Sequence, residues 1–303
     1  MRSTWLVRTP SASASELAKA AFRGQATVLT ANSAARRQGQ RLRDLIESLC
    51  QGLAPPSLQR GLDPPAFRRW VVDLRKRIAA DQGIVEGFRS MLLDTGHDPT
   101  QTFWDHPQLR VMPGHDVPGS ARLTRLAAHR DTWGSNVMAQ INWWMNLYPH
   151  PPGQGLVMYP DCWDSPVENT SAEWDFYRFL AMRAKGQGGR YPRLPLSRRP
   201  PDSAMARTLD LAPDHPAVFS GAQLHGSGTA QSVTTRFSAE FRVLRMEDLL
   251  AGVGAPDVDG RAPHVMLRWF RRLSDSVPLE SVVEIGRAGR KFALVSSLRS
   301  MRS

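Results

Sequence analysis

The segment Ser135-Asn-Val-Met-Ala-Gln-Ile-Asn-Trp-Trp144 is the stretch on which the fold turns. In a strand, alternate side chains share a face. Val137, Ala139, Ile141 and Trp143 then fall on one face, and Asn136, Met138, Gln140, Asn142 and Trp144 on the other. Two readings fit. One is a half-buried strand, apolar inside and polar to water. The other is a strand whose polar face lines a barrel cavity, which suits amides interleaved with Met and Trp. Outward from it, short β-like runs continue from Gly96 to about Leu250, separated by Pro, Gly and Asp. They include Leu109–Met112, Leu156–Tyr159, Ala217–Phe219 and Thr234–Leu244. Strands at this spacing with turn signals point to a sandwich or barrel.

The first third reads differently. Ser13–Phe22, Ala35–Leu53 and Pro65–Leu93 carry apolar residues at helical spacing, broken by Ala54-Pro-Pro56 and Asp63-Pro-Pro65. The expected organisation is mainly β with helices (α+β). It has a helical N-terminal scaffold over 1–95, a β core over 96–250 and a basic C-terminal extension over 251–303. Residues 182–206 read as a long surface loop, a candidate lid.

Composition narrows the classes. The chain has 303 residues and a net charge of +11, with 41% hydrophobic and 22% charged residues. That is globular composition, not collagenous or disordered. No run approaches the roughly 18 apolar residues of a membrane span. No secretory signal is visible at the N-terminus, and a cytoplasmic location is expected. Two cysteines, Cys50 and Cys162, exclude a disulfide framework and cysteine-rich metal sites. The basic residues are arginine apart from Lys19, Lys76, Lys185 and Lys291. They are scattered, without a helix-turn-helix, finger or RNA-binding motif, so nucleic acid is not the expected partner. The local excess after residue 260 (Arg261, Arg268, Arg271, Arg272, Arg287, Arg290, Lys291) reads as a solvated face or a contact for an acidic partner.

The chemistry-bearing residues come in order. His129-Arg-Asp131 places an imidazole and a carboxylate two residues apart, able to grip one metal ion from an extended chain. A second imidazole would complete a two-histidine-one-carboxylate triad, which holds Fe(II) on one face and leaves positions open. His225 follows the apolar run Ala217–Phe219, and Arg236-Phe-Ser238 comes eleven residues later on an alternating strand. Arg236 and Ser238 share a face, a guanidinium and a hydroxyl suited to clamping a carboxylate.

In this order the motifs resemble Fe(II)/2-oxoglutarate-dependent dioxygenases of the phytanoyl-CoA dioxygenase-like branch, over about residues 96–246. The resemblance implies a double-stranded β-helix (jelly roll) core. It implies His129, Asp131 and His225 as iron ligands and Arg236, with Ser238 beside it, as the anchor for 2-oxoglutarate. The cofactors implied are Fe(II), 2-oxoglutarate as cosubstrate and dioxygen. The activity implied is hydroxylation of an unactivated C–H bond of a small molecule, such as one of secondary metabolism. Halogenases of this kind lack the carboxylate ligand, so Asp131 favours hydroxylation; desaturation and cyclisation use the same triad. Strand parity adds Gln140 and Asn142 as further polar contacts to cosubstrate or substrate.

Of the remaining histidines, His215 reads as structural in a turn, and His97, His106, His115, His150 and His264 have no metal-ligand pattern. Trp104, Trp133, Trp143, Trp144, Trp163 and Trp174 read mainly as core, and the insertion Tyr159–Trp174 as a substrate-recognition segment. Arg110 and Arg130 read as surface arginines, with pairing to an acidic substrate as the alternative. Two competing functions share the triad: a non-enzymatic cupin-like metal-binding or sensor protein, and a hydrolase or isomerase using zinc or manganese. The latter needs a separate general base. The oligomeric state has no signature in the sequence.

Overall fold

The computed structural model describes residues 4–114, 126–227, 234–285 and 292–295. His115 and the basic residues Arg287, Arg290 and Lys291 lie outside the described residues. The chain opens with β1 (Leu6–Thr9), α1 (Ala14–Ala21) and β2 (Ala26–Leu29), with β1 and β2 paired in parallel. A parallel pair needs a crossover, and α1 provides it. The helix starts at a capping box: Ser13 accepts from the Glu16 amide, and the Glu16 carboxylate accepts from the Ser13 amide. Four-residue strands carry too little period-two pattern to be read in advance, and this is how the helical reading of the first third missed them.

The remaining N-terminal elements are helical: α2 (Ser33–Ser48), α3 (Leu58–Gly61), α4 (Pro64–Ala80) and α5 (Gln82–Asp94). Asn32, Asp63 and Asp81 cap α2, α4 and α5 through their side chains. Each satisfies an amide that the first turn leaves without a partner.

The β strands are β3 (Thr102–Trp104), β4 (Gln108–Met112), β5 (Ile141–Asn146), β6 (Leu156–Met158), β7 (Arg207–Leu209), β8 (Pro216–Ser220), β9 (His225–Ser227) and β10 (Arg236–Arg245). β11 (Arg271–Arg272), β12 (Val283–Ile285) and β13 (Phe292–Leu294) follow. The large sheet runs β1-β2-β8-β5-β10-β3-β11, with β4 also on β10. β10 is its spine, paired with β5 along one edge and with β4 and then β3 along the other. A smaller sheet runs β7-β6-β9. The architecture is mixed α and β.

The strand expected over Ser135–Trp144 begins only at Ile141. Thr132–Ser135 forms a one-turn helix, α6, and Asn136 ends it in the left-handed region at φ 54°. Asparagine tolerates that conformation better than most residues. From Gln140 onward the expected parity holds. Ile141, Trp143 and Met145 pack with Phe237, Ala239, Phe241 and Val243 against Leu42, Ile46, Leu74, Ile84 and Phe88 of the helices. The opposite face meets the small sheet, where Trp144, Ala217 and Phe219 pack on Leu156, Met158 and Leu209.

The C-terminal segment is knitted into the molecule. β11 extends the large sheet, and Phe270, Leu279, Val282 and Val283 are buried with Phe103, Val137 and Leu244. α7 (Phe176–Ala184) and α8 (Met246–Ala251) complete the helices used below. Among the described residues, no helix is long and apolar enough to cross a membrane.

His97 is a buried titratable group in the core, 4% exposed, edge-on to Trp143 and with Nδ1 2.8 Å from the Thr95 hydroxyl. Burial pushes its imidazole down to about 4, against about 6.5 in an unfolded chain. The unfolded chain therefore binds the extra proton between these values. The stability contributed is complete above pH ~6.5 and is lost as the pH falls through the folded value. We expect His97→Gln to shrink the loss of unfolding free energy between pH 7 and pH 4.5 by about 2–3 kcal/mol. Urea melts at the two pH values check this, and an equal loss in both proteins would exclude His97 as the acid-sensitive group.

Candidate metal centre

His129 and His225 face each other across an isolated antiparallel bridge. The His129 amide donates to the His225 carbonyl at 2.8 Å, and the His225 amide donates back at 3.0 Å. Residues directly opposite in such a pair project to the same side. The imidazoles lie with ring centres 4.4 Å apart. Each is fixed in the same way: His129 Nδ1 sits 2.8 Å from the Ala127 carbonyl, and His225 Nδ1 sits 2.8 Å from the Gln223 carbonyl. A carbonyl only accepts, so Nδ1 carries the proton and Nε2 presents its lone pair to the centre. Burial, then the nearby His225, push the His129 imidazole down to about 3.

Asp131 supplies the third donor. Ligand atoms of His129, Asp131 and His225 all lie within 4.8 Å of one another. No other such cluster of three occurs among the described residues. The extended-chain argument for the His129–Asp131 pair needs revision, because Asp131 has helical backbone (φ −61°, ψ −31°) and starts α6. Its carboxylate is aimed by partners instead. Asn142 donates to Oδ2 at 2.5 Å, and Arg242 donates at 3.3 and 3.4 Å. Burial would raise the Asp131 carboxyl, but Arg242 and the two imidazoles outweigh it and hold it well below the usual range. Arg242 also pairs with buried Asp105 at 2.7 Å. Two imidazoles with Nε2 turned inward and one ionised carboxylate, each oriented by a second partner, are a donor set that fits a divalent transition metal.

A cavity of about 860 Å³ opens onto this triad. Asn142, Trp144, Phe219, Glu240 and Arg242 line it beside the three ligands. Gln140 is buried and donates to Asn142 Oδ1 at 3.1 Å, one residue further from the carboxylate. Arg236 and Ser238 are fully enclosed, 4% and 0% exposed, and are not in the cavity wall. Trp144, which is in the wall, lies 5.7 Å from the Arg236 guanidinium. That guanidinium donates to the Gln154 and Gly155 carbonyls, both at 2.6 Å. Arg236 Nε and Ser238 Oγ are buried without a hydrogen-bond partner. Burial pushes the Arg236 guanidinium down to about 10. A buried cation facing only neutral partners, beside an unpartnered hydroxyl on the same strand face, fits the carboxylate of a small anion.

Several arginines differ from their reading as surface residues. Arg110 pairs with Glu240 at 2.5 Å inside the cavity. Arg130, 2% exposed, pairs with Asp259 and donates to the carbonyls of Ala222, Cys162 and Ser165. That contact ties the Tyr159–Trp174 insertion to the ligand loop, and the insertion contributes nothing to the cavity wall. The 182–206 segment does line it, through Arg183, Gly188, Gly189, Arg193 and Leu194. His150, His215 and His264 bond to Pro151, Pro213 and Asp175, away from the triad. Sequence reasoning missed Asp105, Glu240 and Arg242. The alternation Arg236-x-Ser238-x-Glu240-x-Arg242 along one strand face was the signal for the last two.

No family model and no curated protein matches the sequence. The solved structures similar to it include EvdO2 from Micromonospora carbonacea var. aurantiaca complexed with 2-oxoglutarate, 15% identical over 74% of this chain and 88% of that one, with a TM-score of 0.43. EctD from S. alaskensis with bound Fe is 15% identical over 92% and 89%, with a TM-score of 0.40. An oxidoreductase of the 2OG-Fe(II) oxygenase family from Burkholderia pseudomallei is 13% identical over 86% and 100%, with a TM-score of 0.37. At these identities and scores, the chemistry has to be read from this chain's own residues.

Partners that orient a ligand matter nearly as much as the ligand itself. Asn142→Ala is expected to weaken divalent-metal binding by about 10- to 100-fold. A Co(II) binding isotherm checks it. An unchanged isotherm would show that Arg242 alone orients Asp131.

Proposed function

We propose that the chain is an Fe(II)- and 2-oxoglutarate-dependent dioxygenase that hydroxylates a C–H bond of a small molecule. The observation that carries this is the convergence of His129 Nε2, His225 Nε2 and an ionised Asp131 at the end of a cavity. Three protein donors would hold Fe(II) and leave positions on it for cosubstrate and oxidant. On this reading His129, Asp131 and His225 are the iron ligands. Arg236 holds the far carboxylate of 2-oxoglutarate with the Ser238 hydroxyl, and Asn142, steadied by Gln140, orients Asp131. When bound, iron with 2-oxoglutarate and dioxygen supplies the oxidising power for an unactivated C–H bond, with succinate and carbon dioxide as coproducts.

The residues do the rest. The carbonyls of Ala127 and Gln223 hold the proton on each Nδ1 and keep each Nε2 pointed inward. Arg242 keeps Asp131 charged. Asp131 fills the position that a halide would need, which favours hydroxylation. Trp144, Leu156 and Phe219 give the inner wall apolar surface that excludes water from the reacting carbon. The two packed sheets are read as a double-stranded β-helix centred on about 96–250, with β1, β2 and β11 extending the large sheet and the N-terminal helices packed on it. A small-molecule substrate and a cytoplasmic setting belong to the same proposal.

The test is an anaerobic titration with Fe(II) and then 2-oxoglutarate, watching for a visible metal-to-ligand charge-transfer band. The band is expected in the wild type. It is expected to disappear in His129→Ala, Asp131→Ala and His225→Ala, with the fold retained by circular dichroism. In Arg236→Ala it should need at least about tenfold more 2-oxoglutarate, the loss of a charge-assisted pair. Fe(II) binding without the band would assign the chain to cupin-like metal-binding proteins instead.

A further inference from the structure

We propose that the mouth of the cavity is an oxyanion site, formed by Arg75, Arg183 and Arg193, for a substrate bearing a carboxylate, sulfate or phosphate group. This deepens the dioxygenase reading and rests on it for the statement that the ligand is the substrate. The inventory of charge in the cavity carries the proposal. Five arginines line it, Arg75, Arg110, Arg183, Arg193 and Arg242, against the carboxylates Asp105, Asp131 and Glu240. All three carboxylates are already paired, Glu240 with Arg110 and the two aspartates with Arg242. Arg75, Arg183 and Arg193 have no carboxylate partner among the described residues.

These three come from separate elements. Arg75 is on α4, Arg183 is at the end of α7, and Arg193 is in the segment after it. Nothing in their local sequence requires them to face one cavity, yet all three do. Arg75 is held by one bond, from Nε to the Leu109 carbonyl at 3.1 Å, which leaves its terminal nitrogens free. Burial, then Arg110 and Arg193, push the Arg75 guanidinium down from its usual range. Like charges gathered at a cavity mouth repel, and an anion between them removes the repulsion. Guanidinium forks match carboxylate and phosphate geometry better than ammonium groups do.

The site is distinct from the Arg236–Ser238 pair, which is enclosed and outside the wall. A substrate held by its anionic end at these arginines would keep its remaining part in the same cavity as the triad.

The probe is inorganic pyrophosphate, titrated calorimetrically into metal-free full-length protein at low salt. Binding is expected in the wild type. It is expected to weaken by about tenfold or more in Arg75→Ala and in Arg193→Ala and further in Arg193→Glu. Arg37→Ala, on the exposed surface of α2, should bind pyrophosphate as the wild type does. Absence of binding in the wild type, an equal loss in Arg37→Ala, or a loss in Arg236→Ala with none in Arg75→Ala overturns the proposal. Failure of the dioxygenase reading looks different. The Fe(II)/2-oxoglutarate band is then missing while pyrophosphate binding keeps its dependence on Arg75 and Arg193, and the oxyanion site stands on its own.

Discussion

Two backbone hydrogen bonds between His129 and His225 are the constraint on which the site depends. Almost a hundred residues separate the two histidines in sequence, and this bridge brings them face to face. The ladder continues through Ser227, whose amide donates to Leu126, and on its other edge the His225 strand pairs with β6, beyond which the Tyr159 amide donates to Leu224. Gly226 lets the two segments come this close: a Cβ there would meet Ala128 N and Leu126 O, both at 3.2 Å. The strand that carries one ligand is thus shaped by a missing side chain one residue beyond it.

Arg130, between the two ligands of the His-x-Asp motif, fastens this arrangement to the rest of the molecule. Its guanidinium meets the Asp259 carboxylate and three carbonyls, including that of Ala222, three residues before His225. Asp259 in turn accepts from Trp133 Nε1 and the Val167 amide. A buried ion pair stabilises a fold only when its other donors and acceptors are satisfied, and here they are. The C-terminal segment thus reaches the ligand loop through the Asp259 carboxylate, and its Trp269 lines the cavity.

The His129, Asp131 and His225 grouping was legible because the two imidazoles stand on strand-like runs and the carboxylate is two residues from one of them. The polar parity of Gln140, Asn142 and Trp144 was legible for the same reason, although helix α6 replaces the first half of the expected strand. What could not be read are the pairs made across elements. Arg242–Asp105, Arg110–Glu240 and Arg130–Asp259 each join residues about 130 positions apart, and distant pairs leave no local pattern. Their absence from the reading is why Arg110 and Arg130 looked like surface residues. The short parallel strands β1 and β2 escaped for the complementary reason, since four residues give too few alternations to count.

β10 shows why core and site are specified together. Phe237, Ala239, Phe241 and Val243 close the hydrophobic core against the helices. Arg236, Ser238, Glu240 and Arg242 fall on the alternate face, with the carboxylates, the cavity and the buried unpaired cation. A register slip of one residue would drive two arginines and a glutamate into the helical interface and turn two phenylalanines toward the triad. Burying those charges unpaired costs several kcal/mol per group, far more than the shift of a few hydrogen bonds. The register that protects the core is therefore the register that presents Arg242 to Asp131, and the chemistry of the centre is set by the same alternation that folds the sheet.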